Sequence, residues 1–268
     1  MNAQLDNNMP KKLFLIIFYF ITMYIVANLL AIILYGSLLV SYPNNPNNEN
    51  LAMTLTNLLC YAIMVFTFLF VLDNYFKDHF YHFKKKFFYY IGIAIAGWFF
   101  YLFLNVIINM IMEMTQFVQR DTQNQEAIVE TLKYPLLSIP MIVIGAPIVE
   151  EVIFRGVIFN LAKNLKLPHK LNIVLAFILS SSLFGLIHVL TAYIISGDYT
   201  ELILGIPYIA AGFALTLVYY LTNNIFVPIV MHGIQNGVSV FALLLLGLLP
   251  EEPPMKMVAL IQYLFPYL

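Results

Sequence analysis

Four residues in the second half of the chain carry side chains suited to activating water and stabilising an oxyanion. They are Glu150, His188, His232 and Asn236, and each falls inside an apolar run. A carboxylate held in low dielectric suits proton transfer near neutrality. An imidazole can share that proton, and His and Asn hydrogens can donate to a developing tetrahedral oxyanion. Glu150 is followed by Glu151, with Arg155 four residues further on. Residues at i and i+4 share a helix face, so Glu151 and Arg155 can pair. Glu150 points about 100° away from Glu151 on a 3.6-residue helix and keeps no local partner. His232 and Asn236 are again i and i+4 and project from one face. Pro147 removes one helical backbone bond and is expected to distort the helix just before Glu150, freeing carbonyls beside the site.

Each of these residues also has a plainer role to weigh. A lone intramembrane His188 can serve only as a hydrogen-bonding group between helices. The Gly233/Gly237 spacing points to close helix packing. The Glu151–Arg155 pair reads as structural before it reads as chemical. Ser180-Ser181-Ser182 is expected to bond back to helix carbonyls or to pack a small-residue interface, and Phe184 alone is simply apolar. His79, His82 and His169 fall in connecting loops. Cys60 has no His, Asn or Asp near it in its segment, which argues against a thiol nucleophile. One unpartnered Glu with two His and one Asn is nonetheless a working set that packing alone does not explain.

Composition says what must hold these residues. The chain has 268 residues, of which 62% are hydrophobic and only 10% charged. Ordinary soluble domains carry about 25% charged residues, so a soluble globule is excluded, as is intrinsic disorder. A net charge of −1 gives no footprint for nucleic acid, and one cysteine cannot form an internal disulfide. The fold expected is all-α, a polytopic transmembrane bundle of seven or eight helices. Its segments are 13–40, 51–72, 87–114, 135–159, 171–196, 202–221 and 226–249, with 257–268 short and either spanning or interfacial. The first segment is too long for a signal peptide, and no small-residue cleavage site follows it. Gln116 to Lys133 can hold one short amphipathic helix.

Nine basic residues, Lys11, Lys12, Lys77, Lys84, Lys85, Lys86, Lys163, Lys166 and Lys170, fall on one side of this topology. Arg120, Lys133 and Lys256 fall on the other, which is rich in acids and includes Glu201. The asymmetry puts the N-terminus in the cytoplasm of a multi-pass cell-membrane protein. At about 1.5 Å per residue, Glu150 lies roughly 14 Å, His232 roughly 9 Å and His188 roughly 25 Å from that side. Straight helices drawn this way bring the four together only if segment five starts later or tilts.

The three motifs together, Glu150-Glu151…Arg155, Phe184…His188 and His232…Asn236, resemble the EExxxR, FxxxH and HxxxN pattern of the CPBP family. That family comprises CAAX proteases and bacteriocin-processing enzymes, and the resemblance covers about 135–245. It implies an intramembrane endopeptidase in which Glu150 and His188 activate water. His232 and Asn236 would form the oxyanion hole, and Glu151, Arg155 and Phe184 would support the site. It also implies a division into helices one to three with an outer loop (1–134), a catalytic helix core (135–250) and a short C-terminal helix (251–268). No cofactor is expected. Zinc held by Glu150, His188 and His232 is the alternative, although the HExxH signature is absent. The expected partners are membrane lipid and a membrane-associated peptide or protein of a bacterial cell: a leader, signalling or bacteriocin precursor, or a lipidated tail. The residues alone leave open two rivals, a non-catalytic scaffold or bacteriocin-immunity partner and a proton-coupled transporter.

Overall fold

A computed structural model describes residues 8–115 and 122–247. Arg120, Asp121 and the expected C-terminal helix at 251–268 lie outside the described residues. In chain order the helices are α1 (Met9–Ser41), α2 (Asn48–Val71), α3 (Asp73–Lys85), α4 (Phe87–Thr115) and α5 (Gln123–Thr131), then α6 (Pro135–Lys163), α7 (His169–Ile187), α8 (Leu190–Ser196), α9 (Thr200–Thr222) and α10 (Phe226–Gly247). No strand occurs among the described residues. All but α3, α5 and α8 are long and apolar enough to cross a bilayer. These seven correspond to the seven expected segments, and α5 supplies the short helix expected between Gln116 and Lys133. The result is a polytopic helical bundle.

The breaks follow from local chemistry. Pro43 and Pro46 cannot continue α1, and Asn48 donates its side-chain amide to the exposed carbonyls of Leu38 and Tyr42, at 3.3 and 2.7 Å. Between α9 and α10 the chain turns at Asn223, whose φ of 47° is a left-handed value that Asn tolerates. The Asn224 side-chain oxygen then accepts from the Phe226 amide at 3.0 Å and caps α10.

That turn corrects one expectation. His79 and His82 are not in a loop but on α3, an amphipathic helix that buries Tyr75, Phe76, His79 and Phe83. The charges of Lys77, Lys84 and Lys85 obscure this stripe in the sequence. His79 fastens the turn from below: its carbonyl accepts from Asn224 Nδ2 at 2.8 Å, and its Nδ1 accepts from the Ile225 amide at 3.3 Å. His169 is the exposed first residue of α7.

Segment five also differs from expectation. The helix stops at Ile187, His188 caps it, and a separate α8 follows. Two charges expected at segment ends, Lys12 and Glu201, are 3% and 0% exposed. Helices α1 and α9 begin at Met9 and Thr200, earlier than their apolar runs, and draw both residues into the bundle.

Helix α1 has one π-helical turn, at Thr22–Val26, and α6 is more irregular still. A π-helical turn at Met141–Gly145 precedes one regular stretch, Ala146–Glu151, and a second π-helical run follows at Val152–Phe159. Such widened turns leave carbonyls without their usual partners, and here other helices take them. Asn236 of α10 donates to Ile142 O at 2.8 Å, and Ser180 of α7 donates to Phe154 O at 3.0 Å. Ser180 thus satisfies a neighbouring helix rather than its own. Pro147 cannot donate to Val143 O, and Gly233 lies so close to that carbonyl that a Cβ there would sit 3.0 Å from it. The Gly233/Gly237 face packs on Val143, as its spacing suggests.

Candidate active site

Regular geometry at Ala146–Glu151 sends the two glutamates of α6 in different directions. Glu151 turns into the protein and Arg155 meets it at 2.9 Å, both fully buried. The guanidinium is held on two further sides: Nη2 donates to Gly212 O of α9 at 2.8 Å, and its carbon lies 4.5 Å from the centre of the Phe184 ring. That stack on an aromatic face suits arginine specifically. Glu151 Oε1 also accepts from His232 Nδ1 at 2.9 Å, so the pair reaches a third helix, α10.

Glu150 turns the other way, into a cavity of about 430 Å³. It has a partner that the sequence did not reveal: Tyr61 of α2 donates its phenolic hydrogen to Oε1 at 3.0 Å. Gly145 packs beside the tyrosine, and a Cβ there would meet Tyr61 Cβ at an ordinary contact distance of 3.5 Å. Glu150 Oε2 has no hydrogen-bond partner among the described residues. It faces two imidazole nitrogens, His188 Nε2 at 3.9 Å and His232 Nε2 at 4.0 Å.

The other ring nitrogens define the tautomers. A carbonyl can only accept, so the 2.7 Å contact of His188 Nδ1 with Phe184 O puts the proton on Nδ1. The carboxylate of Glu151 does the same for His232. In the neutral rings both Nε2 atoms therefore present lone pairs toward Glu150 Oε2. Three acceptor atoms converge, an arrangement suited to a donor placed between them.

Phe184 is more than apolar filling. Its ring lies 4.9 Å from His188, 5.6 Å from His232 and 5.5 Å from Phe154, centre to centre, so it spaces the imidazoles from Arg155. His188 also stacks on Tyr208 of α9 at 4.7 Å, with the planes 16° apart. The Tyr208 hydroxyl in turn is bonded to Thr122, the cap of α5, at 3.1 Å. Asn236 lines the same cavity. One of its amide hydrogens goes to Ile142 O, leaving the second uncommitted among the described residues.

Glu150, His188 and His232 thus meet although their estimated depths differ by many ångströms. Helices α6, α7 and α10 are not flush, and the break at His188 sets that ring at the end of its helix. Close backbone contact supports the meeting. A Cβ at Gly185 would stand 2.7 Å from Ile209 N, and one at Gly212 would stand 2.8 Å from Ser181 O, so α7 and α9 touch at both glycines.

As a metal site the set is wide. Zinc at about 2.0–2.2 Å from tetrahedral ligands places neighbouring donors roughly 3.3–3.5 Å apart. The two Glu150–His separations exceed that, and no group of three or more His, Cys, Asp or Glu among the described residues is arranged to hold a metal ion. Zinc therefore does not fit these side chains as they stand.

Residues 132–238 match the family described as type II CAAX prenyl endopeptidase, Rce1-like. The motif-bearing part of the chain is similar to that family. The matched residues contain all three motifs quoted above. A protein of Bacillus subtilis (strain 168), YdiL, named as a candidate membrane peptidase, is 35% identical over 53% of this chain and 52% of its own length. The membrane-embedded CAAX protease MroQ of Staphylococcus aureus (strain USA300) is 30% identical over 58% of this chain and 60% of its own. The chain therefore spans between half and three-fifths of the length of these curated relatives. No solved structure matches it. The apolar helices and the Rce1-like match together describe a multi-pass membrane protein with bacterial membrane-peptidase relatives.

Proposed function

We propose that the protein is an intramembrane endopeptidase that hydrolyses one peptide bond of a membrane-associated peptide. The observation that carries this reading is the convergence of Glu150 Oε2, His188 Nε2 and His232 Nε2 in one cavity. Water entering as substrate donates to Glu150 and His188, and its proton passes to Glu150 as the oxygen attacks the carbonyl carbon. Negative charge develops on the carbonyl oxygen. To meet that charge His232 enters the cycle already protonated on both ring nitrogens, keeping its Nδ1 hydrogen on Glu151 and offering Nε2–H to the oxyanion, and it leaves the cycle in the same state. Asn236 offers its uncommitted amide hydrogen. The nitrogen takes the proton from Glu150 as the C–N bond breaks, giving a carboxylic acid and an amine. The acid's hydroxyl hydrogen, the second hydrogen of the water, then passes through Glu150 to the amine, so that carboxylate and ammonium products separate and Glu150 is again ionised. Tyr61 orients the glutamate, and Arg155 fixes Glu151 and so His232. Nine basic residues on one side against three on the other put the N-terminus in the cytoplasm.

The test is comparative peptidomics of membranes carrying the wild type or Glu150→Gln. The variant keeps size and one hydrogen-bonding oxygen but cannot accept the water's proton. The uncut precursor should accumulate in the variant; wild-type processing by Glu150→Gln would refute the mechanism.

A further inference from the structure

The cavity is not centred in the bundle. On α6 its lining runs from Met141 to Glu150 and stops there; on α2 it stops at Tyr61 and on α9 at Leu215. Each limit marks where the chain continues toward the face that carries α3 and most of the lysines. Beyond these limits the interior is packed: Met64, Phe68, Phe154, Phe159 and Val218 are all between 0 and 3% exposed. In the opposite direction the cavity reaches α5, where Asn124, Gln125 and Thr131 line it. Asn57 of α2 and Ser239 of α10 extend the same polar wall.

We infer that Glu150 is reached from the face that carries α5 and is sealed from the lysine-rich face, and that the occupant is an extended, uncharged stretch of peptide. The second half of this inference rests on the endopeptidase reading. Its chemistry comes from the wall. Carboxamides and hydroxyls offer the donors and acceptors that peptide groups require, and Glu150 is the only carboxylate, with no Lys or Arg, among the described lining residues. A carboxylate of the substrate placed there would lose hydration without gaining a counter-charge, and a lysine or arginine would find one only at Glu150, the group that must take the water's proton. An apolar plug fills the other end, where three phenylalanines with Met64 and Val218 leave no passage for chain or water.

The experiment reads access separately from cleavage. In a Cys60→Ala background, single cysteines are placed in the cavity (Asn57→Cys and, independently, Ser239→Cys), at α5 (Asn124→Cys) and in the exposed lysine-rich connection (Lys166→Cys). A membrane-impermeant charged methanethiosulfonate is added to sealed vesicles of one orientation, then to the inverted ones. Asn57→Cys and Ser239→Cys should be modified from the same side as Asn124→Cys, with Lys166→Cys modified from the other side alone. Modification of the cavity cysteines only from the Lys166 side, or from neither side, overturns the inference. Cleavage of a neutral model peptide is measured on the wild-type vesicles in parallel. The expected labelling without any cleavage refutes the endopeptidase reading while the access route stands; cleavage with reversed labelling does the opposite. If peptides bearing Lys or Asp beside the scissile bond are cut as fast as the neutral one, the uncharged-occupant half is overturned.

Discussion

Tyr61 donates to Glu150 across 89 residues of sequence, and the 3.0 Å bond fixes one carboxylate oxygen while the other faces His188 and His232. The two oxygens of one side chain thereby have separate tasks, one structural and one open to chemistry. A tyrosine in an apolar stretch of α2 is what keeps them distinct.

Removing that bond should slow turnover more than it weakens substrate binding. A hydrogen bond to a charged group contributes about 1.5–3 kcal/mol, so Tyr61→Phe should lower kcat about 10- to 100-fold with KM nearly unchanged. Steady-state kinetics on the purified variant decide it. An unchanged kcat would mean that Glu150 is oriented by its helix alone.

Tyr208 separates two contributions to His188, the stacked ring and the hydroxyl tied to α5. Tyr208→Phe keeps the ring and should retain most of the wild-type kcat. Tyr208→Leu loses the flat face against the imidazole and should lose about tenfold or more, the scale of 1.4 kcal/mol in a barrier. Equal kinetics for the two variants would show that the stack does not hold the ring.

The approach of α7 to α9 should tolerate no methyl at Gly185. An alanine Cβ would sit 2.4 Å from Ile209 Cγ1 and 2.7 Å from its backbone nitrogen, and the backbone cannot swing aside. Overpacking of this kind costs about 1–3 kcal/mol. Thermal unfolding in detergent should show a lowered midpoint for Gly185→Ala. Gly92→Ala is the control, because nothing lies within 4 Å of its added Cβ.

Chelation addresses the zinc alternative. Donors set as wide as those around Glu150 should leave cleavage unaffected by a strong chelator, measured on enzyme whose metal content is determined by mass spectrometry. Stoichiometric zinc in active enzyme, with activity lost on chelation and restored by zinc, would show that the side chains close around a metal.

The sequence made the ionisable residues legible for a physical reason: a charge inside an apolar helix has few explanations other than a partner or a reaction. Glu150, Glu151, Arg155, His188 and His232 stand out on that ground alone, and the i, i+4 logic places Arg155 on Glu151 as found. Tyr61 and Tyr208 were illegible, since they are two of 18 tyrosines and their hydroxyls leave no pattern in an apolar run. The depths failed because counting assumes straight, flush helices, whereas α6 widens twice and α7 ends at the residue that matters. His79 was missed because its helix is short and its lysines mask the apolar stripe. Lys12 and Glu201 were assigned to water by their nearness to segment ends, which tertiary packing overrode.

Glu151 accepts from Arg155 on its own helix and from His232 on another. The first contact needs only α6 and can form while that helix is being inserted, so the nascent segment carries its counter-ion into the bilayer with it. Phe184 reaches the guanidinium when α7 arrives, Gly212 O when α9 does, and His232 only with α10. Biogenesis therefore delivers first a helix whose Glu151 and Arg155 are already paired but whose site is incomplete. The pocket cannot hold both imidazoles until the seventh span has docked, and a chain halted before that point has no assembled site.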